Sequence, residues 1–208
     1  MTRFLTLCAL LLSAGLAAAQ ERANTILVLD GSGSMWGQIE GVNKIVIARD
    51  VVGTLLTDFP ADQNLGLTVY GHRTRGDCSD IETVVPPAPG TGPAIRAAVN
   101  GINPRGRTPM TDAIIRAAQD LRYTENAATV ILVSDGIETC NPDPCAAAAA
   151  LEQAGIDFTA HVVGCDVTDP AALAQMQCIA DGTGGQFLTA SNAAELSQAL
   201  TTVAAPPP

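Results

Sequence analysis

Aromatic side chains are scarce in this chain: one tryptophan, two tyrosines and four phenylalanines among 208 residues. A core built here has to be aliphatic and rich in alanine, and with 47% hydrophobic residues there is material for one. Histidine occurs twice, and neither His72 nor His161 sits in an evident triad context. Basic side chains number 11 against 21 acidic ones, giving a formal charge of −10, which argues against nucleic acid or an anionic membrane surface as partner. After residue 19 no stretch is long and apolar enough to span a bilayer. The patterns Gly-x-x-x-x-Gly-Lys-Ser/Thr and Gly-x-Ser-x-Gly are both missing, which removes the phosphate loop and the nucleophile elbow. Internal repeats and a second domain are missing too.

The first nineteen residues read as a secretory leader. Arg3 gives a basic start, residues 4–19 are almost wholly apolar, and Ala17-Ala18-Ala19 before Gln20 forms a small-residue cleavage signal. The expectation is a periplasmic or secreted protein with no stable membrane anchor after cleavage, whose charge becomes −11 once Arg3 leaves. Residues 20–203 then form one domain of ordinary size, and residues 204–208 a proline-rich disordered tail. Export makes disulfides permissible for Cys78, Cys140, Cys145, Cys165 and Cys178, and an odd count leaves at least one thiol over. The turn-rich Asn-Pro-Asp-Pro between Cys140 and Cys145 suggests that these two pair, although connectivity is not deducible from spacing.

Along the chain, apolar runs alternate with helical patterns. Strands are expected at 25–29, 64–71, 81–85 (stopped by Pro86-Pro87), 128–133, 156–163 and 185–189. Between them, Ile45, Ala48, Val52 and Leu55 mark one face of a helix, and further helices are expected over 92–99, 109–121, 145–154, 170–180 and 193–203. Pro109 suits the first helical position, with Thr108 as its N-cap. This alternation predicts an α/β fold: a doubly wound, mostly parallel sheet covered on both faces, with one antiparallel edge strand where 64–71 and 81–85 connect closely.

Chemistry gathers at the ends of the strands. Thr25-Ile26-Leu27-Val28-Leu29 runs straight into Asp30-Gly31-Ser32-Gly33-Ser34, and 128–133 runs into Ser134-Asp135-Gly136. Thr108 opens a helix in between. In a doubly wound sheet such loops meet at the topological switch point. Two carboxylates and three hydroxyls are hard oxygen donors, suited to Mg²⁺ and to Mn²⁺ or Ca²⁺ after it. Each motif alone also reads as a turn or a helix cap; their coincidence at three loops favours a metal.

Taken together, Asp-x-Ser-x-Ser after an apolar strand, a distant Thr-Pro-Met before a helix, and Ser-Asp-Gly after a second apolar strand resemble a von Willebrand factor A domain with its metal-ion-dependent adhesion site. The resemblance covers roughly residues 23–203 and implies a Rossmann-like fold. It implies a metal held by Asp30, Ser32, Ser34, Thr108 and Asp135, with Ser32 and Ser34 as direct ligands. Asp30 and Asp135 would bind directly or through water, and Thr108 according to state. It further implies a protein partner whose own Asp or Glu carboxylate completes the metal shell. Around that face Trp36, His72, Arg73, Arg75, Arg105, Arg107, Ile137 and Glu138 lie on loops able to share it, and the basic ones would steer an acidic partner. The expected role is therefore binding, not catalysis. The competing readings are a metal-assisted hydrolase using the same oxygens, or an accessory subunit of a larger envelope complex.

Overall fold

The computed structural model describes residues 24–141 and 143–205; the expected leader and the three terminal prolines lie outside the described residues. In chain order the elements are β1 (Asn24–Asp30), a short 3₁₀ turn (Gly33–Trp36), the small hairpin β2 (Gln38–Ile39) and β3 (Val42–Asn43), then α1 (Lys44–Asp58) and β4 (Asn64–Tyr70). There follow β5 (Ile81–Ala88), α2 (Gly92–Gly101), α3 (Met110–Asp120), β6 (Ala128–Ser134), α4 (Pro144–Ala154), β7 (Phe158–Cys165), α5 (Pro170–Asp181), β8 (Phe187–Ala190) and α6 (Ala193–Ala204). Six strands form one sheet in the order β5-β4-β1-β6-β7-β8. All neighbours are parallel except β4 and β5, so the antiparallel edge is where the short connection puts it.

Strand residues alternate between two cores, as a sheet covered on both faces requires. Leu27 and Leu29 of β1 join Ile131, Val133 and the buried faces of α1, α2 and α6 on one side. Ile26 and Val28 join Val130, Leu132 and the faces of α3, α4 and α5 on the other. The register is continuous across the centre, with Leu29 opposite Val133 and Asp30 opposite Tyr70. β1 is therefore buried on both faces and flanked on both edges, and its final carboxylate is delivered into the interior end of the crevice.

Three local expectations need correction. The prolines do not stop β5, which runs on through Pro86 and Pro87 to Ala88. An edge strand needs ladder donors on one side only, and the register with β4 shifts between Leu65 and Leu67, so the missing N–H groups fall at an irregularity. Thr108 does not cap α3: the helix starts at Met110, Pro109 takes the cap position, and no side chain satisfies the first turn by capping. Its place is taken from across the fold by Glu138, whose Oε2 accepts from the Thr111 N–H at 2.8 Å.

The third correction concerns the cysteines. Cys140 does not pair with Cys145. Cys78 bonds Cys140, and Cys145 bonds Cys178, with Cα separations of 5.7 and 5.4 Å. Asp143 accepts from the Ala146 N–H and so starts α4 at Pro144. Cys145 thereby enters the first turn of a helix that packs on α5, while Cys140 stays in the loop that faces the β4–β5 connection. Cys165 is the odd thiol, free and buried.

Candidate functional site

Two central parallel strands carry the site. β1 ends at Asp30 and β6 at Ser134, one rung beyond the Leu29–Val133 pair. Asp30 is fully buried. Its Oδ1 accepts from the Ser32 N–H at 2.7 Å, and its Oδ2 accepts from the Ser134 hydroxyl at 2.6 Å. Ser134 in turn accepts from the hydroxyl of buried Tyr70 at 3.0 Å. The Tyr70–Ser134 pair and the Ser32 N–H thus satisfy both oxygens of the Asp30 carboxylate. Burial first, and then the charge of Asp135, raise the Asp30 pKa to about 6. Tyr70 is pushed well above its ordinary value by the same burial and by Asp30, so it stays a neutral donor.

The two serines meet beside this group. Ser32 Oγ lies 2.9 Å from Ser34 Oγ, and the Ser34 hydroxyl donates to Asp135 Oδ1 at 2.6 Å. Four of the five expected residues are thus linked in one oxygen cluster: Asp30 to Ser32 through the backbone, Ser32 to Ser34, and Ser34 to Asp135. The other oxygen of Asp135, Oδ2, is buried and has no hydrogen-bond partner. Its nearest cation is Lys44 Nζ at 3.2 Å, an ion pair without hydrogen-bond alignment. Among the described residues no group of three or more His, Cys, Asp or Glu gathers to hold a metal. The donor set here is two carboxylates supplemented by hydroxyls, a hard-ion set.

Thr108 is not hydrogen-bonded to the cluster; it is held by Thr139, in the loop after β6. Its N–H donates to Thr139 Oγ1 at 3.0 Å and its carbonyl accepts from the Thr139 N–H at 3.2 Å. Its residue is buried, and its hydroxyl makes no hydrogen bond among the described residues. The loop carrying it is stitched to the first loop by backbone bonds. Gly33 N–H donates to the Gly106 carbonyl at 3.1 Å, Arg105 N–H to Gly31 and Gly71 carbonyls at 3.1 and 3.0 Å, and Gly106 N–H to Gly71 at 2.7 Å. Three loops (30–34, 71–76 and 103–108) are therefore one laminated unit. Gly71 makes this possible: its φ is +66°, and a Cβ there would run into the Arg107 carbonyl and lie 3.0 Å from Ser32 Cα.

Several residues that build the site went unnoticed in the sequence. Lys44 is the only lysine in the chain. It is nearly buried, and it sits 3.2 Å from Asp135 and 3.4 Å from Asp166. Burial lowers its pKa, but the Asp135 and Asp166 carboxylates outweigh that and the net direction is upward, so it remains charged. The uniqueness of that lysine was the signal available. Asp80 is buried under the 71–76 loop and accepts from the Arg73 and Thr74 N–H groups and from Arg73 Nε, each at 2.7 Å. Tyr70 carried no signal, since it looks like ordinary strand material; Ser134 stood in the Ser-Asp-Gly motif, but nothing in the sequence showed that its hydroxyl holds Asp30.

The surrounding loop residues divide. Trp36, Arg73, Arg75 and Arg105 share one cleft. Glu138 does not face outward; it is buried and accepts from the Thr111, Cys140 and Asn141 N–H groups, holding the loop after β6 onto α3. His72 lies 3.5 Å from Glu82, with its Nδ1 buried and without a hydrogen-bond partner. His161 accepts from the Gln186 N–H at 3.1 Å, four residues short of the end of β7 and away from the cluster.

The family model for the von Willebrand factor type A domain matches residues 24–202. The chain belongs to the von Willebrand factor type A domain family. It is 30% identical over 192 residues to the uncharacterized protein YwmD of Bacillus subtilis, covering 88% of this chain and 85% of that one. Among solved structures it is similar to the pilus adhesin SpaC of Lactobacillus rhamnosus GG, with a TM-score of 0.69 at 17% identity over 89% of this chain and 30% of that one. It is also similar to proximal thread matrix protein 1 of the mussel byssus, solved with a zinc-occupied MIDAS motif, with a TM-score of 0.63 at 17% identity over 88% of this chain and 47% of that one. These structural likenesses establish the von Willebrand factor A fold. Among the described residues no helix is long and apolar enough to cross a membrane.

Proposed function

We propose that this von Willebrand factor A domain is an exported, adhesion-type binding module that recognises a protein partner through a divalent cation. Asp30, Ser32, Ser34, Thr108 and Asp135 would hold the ion, with Mg²⁺ first and Mn²⁺ or Ca²⁺ as alternatives. The observation that carries the reading is the oxygen cluster itself. Two buried carboxylates and two touching hydroxyls converge on one point, and one carboxylate oxygen there, Asp135 Oδ2, is buried with only the Lys44 ammonium beside it, 3.2 Å away and without hydrogen-bond alignment. A single ammonium leaves the lone pairs of that oxygen incompletely used, and a hard cation suits the remaining place in this oxygen cluster. A divalent ion bound there would offer an open coordination position to a carboxylate of the partner.

The chain's own groups have separable tasks. Ser134 and Tyr70 fix Asp30, while Ser34 orients Asp135 through its Oδ1. Lys44 offsets part of the negative charge when no ion is present. Two disulfides and the leader-like first residues support export to an oxidising compartment.

Calorimetric titration of the purified chain with Mg²⁺ and Mn²⁺, paired with partner capture in the presence and absence of EDTA, tests this. Expected are metal binding that Asp30→Ala removes and a partner retained only with metal. Absence of binding at millimolar metal would defeat the metal assignment, and a partner held equally in EDTA would defeat the adhesion mechanism.

A further inference from the structure

Eight arginines lie among the described residues, and four of them (Arg73, Arg75, Arg105 and Arg107) occupy the two loops laminated onto the Asp30–Ser34 loop. In a chain of charge −10 this is a local concentration of positive charge, set against Asp77, Asp80 and Glu82 on the neighbouring segment. Arg73 is already neutralised, bonded to Asp80 at 2.7 Å and to Glu82 at 3.0 Å. Arg107 donates only to the Gly76 and Thr139 carbonyls and keeps its charge uncompensated. Arg75 and Arg105 make no ion pair among the described residues. Both line a cleft of about 390 Å³ with Trp36, Arg73, Asn103 and Pro104, and no carboxylate lines it.

Trp36 adds a second kind of contact. It is the only tryptophan, it is 47% exposed, and its Nε1 donates to the Pro104 carbonyl at 2.9 Å, which fastens the ring beside Arg105. An exposed tryptophan beside free arginines is the composition of an interface centre, costly to leave in water without a partner. The cleft shares a wall with the oxygen cluster, because Ser32 bridges to Gly106, the neighbour of Arg105. The Cys78–Cys140 disulfide ties the Arg75 loop to the loop that follows Asp135. The two features are held in fixed relation by backbone and by covalent bond.

We propose that this cleft is a second anchor for the partner, and that the partner presents an acidic segment with at least two carboxylates. One carboxylate goes to the cation site and another goes between Arg75 and Arg105, with the segment lying against Trp36. This rests on the metal-dependent reading above. A single carboxylate is a common surface group; the pair in fixed spacing is what gives selectivity. Carboxylate is favoured over phosphate because the oxygen cluster beside the cleft calls for a carboxylate from the same partner.

Because Trp36 is the only tryptophan, its emission reports on the cleft directly. The full chain is titrated with a synthetic Gly-Asp repeat peptide and with its Gly-Asn counterpart, with Mn²⁺ and with EDTA. The Asp peptide is expected to shift the emission and the Asn peptide is not. The double variant Arg75→Gln/Arg105→Gln, whose fold is checked by circular dichroism, is expected to bind about tenfold more weakly with a shallower salt dependence, since each exposed pair contributes up to about a factor of five. Asp30→Ala is expected to lose the metal-dependent part of binding and to keep the arginine-dependent part.

If the double variant binds like the wild type while EDTA abolishes binding, the cleft proposal is wrong and the metal reading stands. If binding ignores EDTA and disappears in the double variant, the cleft stands and the metal reading falls. No response to the Asp peptide overturns the proposal, as does an oligonucleotide that binds as tightly. Self-association of the chain that Arg75→Gln/Arg105→Gln abolishes, seen by sedimentation, would assign the cleft to a second copy and overturn the partner proposal too.

Discussion

Asp30 is held in a form that the fold alone disfavours. Its pKa is raised from 3.8 to about 6 by burial and by Asp135, so the native state holds this proton more tightly than the unfolded chain does. Stability contributed by the protonated form is full below pH 3.8 and is lost as pH rises through about 6. The cost at neutral pH is on the order of 3 kcal/mol. Thermal melts of the metal-free protein are therefore expected to show this cost growing between those pH values. Asp30→Asn is expected to flatten that dependence while abolishing Mg²⁺ binding. A melt equally pH-dependent in Asp30→Asn would refute the assignment. Lys44 works in the opposite sense. Lys44→Met leaves Asp135 without its ammonium and is expected to cost about 3 kcal/mol without metal, since one partner of a nearly buried pair is removed. Saturating Mn²⁺ should recover much of that loss, and calorimetry should show tighter metal binding than in the wild type.

At the level of elements, the site depends on three loops behaving as one. Gly71 sits at the crossing point, accepting from both Arg105 and Gly106 at a positive φ. Gly71→Val is expected to lower stability by about 3 kcal/mol or more, from left-handed strain plus collision with the Arg107 carbonyl. The metal response should be lost with it, because the Ser32 backbone is displaced. Denaturant unfolding together with Mn²⁺ titration checks both parts; a destabilised variant that keeps wild-type metal affinity would show the loops to be independent. The edge strand β5 survives its two prolines for the related reason that only one side of it is paired.

Across the whole molecule the two disulfides close loops of very different consequence. Cys145–Cys178 joins α4 to α5 on the helical flank, and Cys78–Cys140 straps the site face. Alanine replacement of either pair is expected to cost roughly 2–4 kcal/mol. Only loss of Cys78–Cys140 should also weaken metal binding and change Trp36 emission. Cys165 is expected to resist alkylation in the folded protein, being buried with its thiol pushed up to about 11, chiefly by that burial. Mass spectrometry after native and denaturing treatment reads this out.

Much of this fold was legible without coordinates. Apolar, β-branched-rich runs such as 25–29 and 128–133, alternating with helical patterns, read as buried parallel strands, and their abrupt ends on Asp30 and on Ser134-Asp135 placed chemistry at the crevice. Those are local properties, set by side-chain polarity along a few residues. What tertiary structure decided depends on the distance between residues far apart in the chain. The pairing of Cys78 with Cys140 needed the β4–β5 loop to fold over the loop after β6. Glu138, 27 residues beyond Thr111, took over the start of α3 that Thr108 was expected to cap. Lys44 reached Asp135, and Tyr70 reached Ser134, only across neighbouring strands and helices. Each is a long-range contact, and a one-dimensional pattern does not say which distant residue will be the partner.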